Sequence, residues 1–287
     1  MGQLIVWHYR TTLFAKLADH TYVTCGNLAK GWSCWGGKTG GTILRQGTGS
    51  TARADAIAEP DEKAGISCYL INGVCHQAAN RILFPAEITV RGARGYGVSE
   101  ALFGTYGRPR ALFGLCKAPF NKHPGVSGDI PECTEQTAVF SPHEMRMLEV
   151  TENDQDPKYQ AYLTDVSAMY EQQVPQMRTL ETADVTAFQL QLFDRLIGYK
   201  LGDTNAVSNL LEIRESEESA RIEVETIFEN RELSPKEFLR QTQEIEENFQ
   251  LEVANALSEE EYGRLLDLQR GDIVYLGDPD IVREVYS

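Results

Sequence analysis

No apolar run in the 287-residue chain exceeds a handful of residues, far short of the roughly 20 that span a bilayer as a helix. The opening stretch Met1 to Arg10 has neither a basic start nor an apolar core of signal-peptide length. This predicts a protein that is cytoplasmic as made, with signal-independent export left open. A basic surplus is missing as well, since 27 Lys and Arg stand against 42 Asp and Glu for a net charge of −15. Nucleic-acid binding is therefore not expected, because it needs a basic face to displace counterions from phosphate. The sequence also lacks cysteine pairs two to four residues apart, the spacing of structural zinc sites, so neither a metal nor another cofactor is expected. Six cysteines without a secretory signal read as reduced thiols.

Two further shortages are local. Nineteen of the 24 glycines precede residue 130 and all six cysteines lie between Cys25 and Cys133, so the rest of the chain is poor in both. Charge divides at about the same place. Residues 1–149 hold 15 Lys/Arg and 12 Asp/Glu, whereas residues 150–287 hold 12 and 30. With 42% hydrophobic and 24% charged residues the composition is globular throughout. The expected organisation is two domains, residues 1–148 and an acidic, helical 149–287.

The first part reads as short strands with glycine-rich turns. Residues 4–9 and 22–25 are β-branched or aromatic, residues 66–71 run into an Asn72-Gly73 turn signal, and 87–91 is a further candidate strand. Between them Cys75–Leu83 predicts a helix, with Ala78, Ala79, Ile82 and Leu83 on one face and Pro85 as its stop. Residues 117–145, with prolines at 119, 124, 131 and 142, read as a long loop or insertion. The second part reads as helices. One is expected over 185–197 with Gly198 as its stop, one after the capping box Ser234-Pro-Lys-Glu237, and one after Ser258-Glu-Glu-Glu261. The plainest reading of its acidity is a solvated amphipathic bundle.

The most distinctive stretch is Asn72-Gly-Val-Cys75-His76-Gln77, a tight turn followed by a cysteine in the first turn of a helix. Unpaired N–H groups and the positive end of the helix dipole favour a thiolate there. A nearby imidazole would complete the activation. The candidate is His20, in Asp19-His20-Thr-Tyr-Val-Thr-Cys25, at the entry to a strand that can hold a base rigidly. Thr24, Asn27 and His8 are candidates to orient that imidazole, and the sequence does not choose among them.

A histidine leading into a short strand, then about fifty residues on a turn, a cysteine and a helix, resembles the circularly permuted NlpC-like branch of the papain-like thiol hydrolases. That branch includes the lecithin retinol acyltransferases. The resemblance covers about residues 15–110 and rests on these two motifs. It implies an α+β fold: a papain-like domain with a small antiparallel sheet and a Cys-bearing helix, followed here by the all-α domain. It implies Cys75 as nucleophile and His20 as base, in an acyl-enzyme reaction at an amide, ester or thioester. The Cys75 N–H with Asn72 or Gln77 would face the oxyanion. Substrates in such families are peptides, lipids or other acyl compounds, and a cell-wall peptide amidase or effector is one role of this kind.

Trp32-Ser-Cys-Trp35-Gly36-Gly37 would wall a substrate groove, its glycines admitting a substrate backbone. Gly37-Lys38-Thr39 is not a phosphate-cradling loop, because Trp32 stands where the leading glycine belongs. His123 and His143 follow Cys75 in the papain order but sit in loop-like contexts. Arg91, Arg94, Arg108 and Arg110, with Tyr96 and Tyr106, form a basic aromatic stretch. It suits an anionic substrate, a solvated surface, or a dock for the acidic part. The alternative to an enzyme is an interaction protein whose acidic helices bind a protein partner.

Overall fold

The computed structural model describes residues 2–10, 16–25, 30–32, 40–52, 54, 68–110, 112, 115, 156–173 and 181–287. The proline-rich stretch 117–145 lies outside them. The fold is α+β: one small antiparallel sheet and a majority of helices. Strands β1 (Gly2–Tyr9), β2 (His20–Cys25), β3 (Lys30–Trp32) and β4 (Thr42–Gly49) stand in the order β3-β2-β1-β4. Leu4, Ile5 and Val6 are consecutive and all fully buried, because central β1 is covered on both faces and needs no polar alternation. β1 pairs with β2 from Leu4↔Cys25 to Tyr9↔His20, so His20 opens its strand at the sheet's end.

Helix α1 (Cys75–Leu83) packs on β2, and every one of its residues is buried. A helix buried all round must satisfy its polar side chains internally. Asn80 does so by donating to Thr105 O at 2.8 Å and accepting from Val90 N at 2.9 Å. The helix gives way at Pro85 to a single 3₁₀ turn, Phe84–Ala86, as expected. The expected strands at 66–71 and 87–91 are not formed where described. Residues 68–73 make a tight turn instead, with Leu70 at φ 66° and Asn72 N donating to Cys68 O. Residues 88–90 form no strand, and Val90 N donates to the Asn80 side chain instead.

Helices α2 (Tyr96–Phe103), α3 (Pro157–Gln173), α4 (Thr182–Leu201), α5 (Val207–Glu229), α6 (Pro235–Ala256), α7 (Glu259–Leu266) and α8 (Pro279–Tyr286) follow. Ser234 and Ser258 cap α6 and α7 by accepting from Glu237 N and Glu261 N. Gly198 does not stop α4, which runs on to Leu201 and Gly202; the space around Gly198 is open, so only its helix propensity is lost. Gly97 on α2 allows a close crossing, since a Cβ there would stand 2.3 Å from Leu266 O of α7. Among the described residues no helix is long and apolar enough to cross a membrane.

The composition boundary near residue 148 does not divide the core. One apolar cluster runs from Leu4 and Val23 through Ile82 and Phe103 to Phe193, Phe249 and Val282. Nor is the acidity all solvated. Arg108 is fully buried and donates to Glu218 and Glu225 of α5, each at 2.5 Å, while Arg110 pairs with Glu225. Arg214 reaches Ala101 O and Leu102 O at the end of α2, and pairs with Glu217 and Glu218. Arg108 and Arg110 of the basic aromatic stretch thus dock onto the acidic helices.

Candidate functional site

The turn at 68–73 aims the start of α1 at β2. Arg108 N donates to Asn72 O at 2.7 Å, and the Asn72 side chain donates to Arg108 O and Arg110 O, fixing the turn against the docked arginines. Gln77 closes the helix start by accepting from Val74 N at 3.2 Å, and donates to Ser99 O and Gly104 O. Asn72 and Gln77 are therefore occupied in building the turn, and neither is left to face an oxyanion.

Cys75 opens α1. Its thiol donates to Asp19 O at 3.6 Å. Burial pushes the thiol up to about 11. The nearby polar groups of Thr21 and the His76 and Cys75 amides work in the opposite direction, and burial outweighs them. The lowering expected from the helix start is therefore outweighed by burial. In this closed arrangement the thiol is protonated at neutral pH.

His20 is the first residue of β2. Its ring lies 4.9 Å from that of Tyr9, its cross-strand partner, and 6.3 Å from that of Tyr22. Successive strand residues face opposite sides, so Thr21 faces Cys75 while His20, Tyr22 and Thr24 share the other side with Trp7. His20 still reaches Cys75's surroundings because it stands at the strand's end. The two line one cavity of about 20 Å³, together with Leu17, Ala18, Asp19 and Val74, and with Leu276, Asp278 and Ile281 from far along the chain.

The other expected site residues go elsewhere. Thr24 accepts from Trp7 Nε1 at 2.8 Å, which engages its hydroxyl away from His20. Trp32 pairs with Val23 and is buried in the core, so it walls no groove. His8 is held between Asp19 at 2.9 Å and Thr42 at 3.1 Å. Asn27, Trp35, Gly36, Gly37, His123 and His143 lie outside the described residues. Cys68 is disulfide-bonded, which corrects the expectation of six reduced thiols; Cys25 and Cys75 carry thiols.

Two neighbours of the motifs were not singled out. Asp19 is buried, and its carbonyl accepts from both Cys75 Sγ and His76 Nε2, the latter at 3.0 Å. A carbonyl can only accept, so His76 carries its proton on Nε2 and takes the Ser99 hydroxyl on Nδ1 at 2.8 Å. Burial drives His76 down to about 4, leaving it neutral. Burial also opposes the charge of Asp19, but the bonds from His8 and Arg94 N win and hold its carboxyl below its ordinary value. Adjacency to His20 and Cys75 was the sequence signal for both. The far wall at Leu276, Asp278 and Ile281 had none. The chain matches no family model, no curated protein and no solved structure.

Proposed function

We propose that the protein is a cysteine-dependent hydrolase or acyltransferase of the circularly permuted NlpC-like, papain-like kind, with Cys75 as nucleophile and His20 as base. One observation supports this: a free cysteine in the first turn of a helix and a histidine at the mouth of the adjoining strand line the same cavity. His20 takes the Sγ proton and the thiolate attacks the carbonyl carbon of an amide, ester or thioester. The leaving group departs with the proton that His20 returns. Water or another acceptor then attacks the thioester, again losing its proton to His20, and Sγ leaves as thiolate. The amides of Thr21, Cys75 and His76 around the sulfur supply the electrostatic stabilisation at this centre.

A second reading, a scaffold with a core cysteine and partner-binding acidic helices, is favoured by the burial of Cys75 and its raised thiol. Trapping an acyl-enzyme separates the two. With p-nitrophenyl acetate, the enzyme reading predicts acetyl on Cys75, mapped by peptide mass spectrometry, and release of p-nitrophenolate beyond one equivalent. Acetyl on Cys25 and surface lysines with none on Cys75 would refute it.

A further inference from the structure

The wall that closes the Cys75–His20 cavity comes from the end of the described chain. After α7, residues 274–278 run as an extended segment beside residues 16–18, the stretch that leads into His20. Ala18 N donates to Tyr275 O at 3.0 Å and Tyr275 N to Lys16 O at 2.9 Å, a parallel bridge centred on Leu17, three residues before His20. Leu276 is buried, and with Asp278 and Ile281 it lines the cavity. Any substrate carbonyl approaching Sγ from this side meets that segment first.

The other edge of the segment is held by side chains instead of a strand. Gln250 of α6 accepts from Val274 N at 2.9 Å and donates to Val274 O at 2.8 Å. Glu246 accepts from Leu276 N at 3.0 Å. Tyr69 OH donates to Leu276 O at 3.1 Å and accepts from Asp278 N at 3.2 Å. The segment springs from an exposed turn with Gly271 at φ +95° and nothing around it. Val274 and Leu276 are themselves buried, so lifting the segment exposes both and breaks its two backbone bonds together with these side-chain ones.

We propose that residues 274–278 are a built-in occupant of the active site: they sit where an extended polypeptide substrate would lie, paired to Lys16 O and Ala18 N, and Cys75 becomes reachable only when they lift. The substrate class follows from the chemistry of the seat. The groups that Tyr275 takes are a backbone N–H and a backbone C=O, the pair by which a strand edge recognises another peptide backbone. This rests on the reading of Cys75 and His20 as a catalytic pair, and its test reads access to the thiol, not turnover.

The test labels the full chain with iodoacetamide and follows Cys75 and Cys25 separately by mass spectrometry. Leu276→Asp sets a carboxylate against the apolar wall and favours the lifted state. Labelling of Cys75 should accelerate about tenfold or more while Cys25 keeps its rate. Leu276→Met, close in volume, should label like wild type. An unchanged Cys75 rate in folded Leu276→Asp overturns the proposal. Should both cysteines accelerate together, the variant has lost its fold, and hydrogen exchange of the wild type decides. The amides of 274–278 and the Cys75 thiol must then share one opening, easier than that of the α6 core. Cys75 labelling only at the rate of global unfolding overturns the proposal. Adding His20→Gln to Leu276→Asp keeps the two ideas apart. An exposed thiol indifferent to His20 sinks the catalytic pair and leaves the occupant standing. A His20-dependent thiol unmoved by Leu276→Asp does the reverse.

Discussion

Arg108→Met cuts the main electrostatic joint between the two parts of the chain. Arg108 is fully buried and donates to Glu218, to Glu225 and, at 2.9 Å, to Ile71 O in the turn that carries Cys75. The methionine keeps most of the volume but leaves the two carboxylates short of a cation. Glu218 retains Arg214 at 3.0 Å and Glu225 retains Arg110, so the carboxylates are weakened, not orphaned. Removing one partner of a buried pair costs about 3–5 kcal/mol, and the remaining arginines put this change toward the lower figure. Urea unfolding followed by circular dichroism at neutral pH reads it. The loss should shrink on acidification. Burial opposes the Glu218 charge, but Arg108 and Arg214 hold its carboxyl well below the ordinary glutamate value of 4.5, so this stabilisation is fully present above that value and drains away as pH falls from there through the lowered one. Without Arg108 the carboxyl takes up its proton at higher pH, which relieves the variant first. A loss below about 1 kcal/mol at neutral pH would refute the view that this network joins the parts.

Three other outcomes follow from the same structure. A fragment ending at residue 148 should aggregate or bind a hydrophobic dye, because its apolar residues share one core with α4 and α6; a monomeric, cooperatively melting fragment would contradict this. Burial lifts Glu246 to about 7 despite Arg221 and the Leu276 amide, with Glu217 adding to the rise. Its folded value thus exceeds its unfolded one, and its contribution to stability is present below about pH 4 and lost as pH rises through 7. Glu246→Gln should flatten that part of the stability–pH curve in urea titrations, and an unaltered slope would count against it. Ser258→Ala should cost about 1 kcal/mol in thermal melts through the lost cap on α7, and no loss would show that the cap is idle.

What was legible in the sequence was local. Cys75–Leu83 shows its helix through apolar spacing and ends where Pro85 forbids another turn, and the serine caps of α6 and α7 stand where their patterns put them. His20 and Cys75 were found because each carries its own context, a strand entry and a helix start. Their surroundings are set by distant chain. Nothing near Asn72 says that its amide will hold Arg108 O and Arg110 O, and nothing near Leu276 says that it will wall a cavity with Cys75. α5 reads as a solvated acidic helix until the arginines that neutralise Glu218 and Glu225 are seen to come from the other part of the chain. β4 was missed because Thr42–Gly49 is glycine-bearing, polar and only half-buried at the sheet edge, where β1 supplies the pairing that its own pattern does not announce.

The central claim, that Cys75 and His20 act as a pair, is tested most directly by the iodoacetamide labelling rate of Cys75 in wild type and His20→Gln, from about pH 5 to 9. Cys25, a half-buried thiol, serves as the internal reference. The account predicts that loss of the imidazole slows Cys75 about tenfold or more and leaves Cys25 unchanged. Equal Cys75 rates in the two proteins across that range would contradict it.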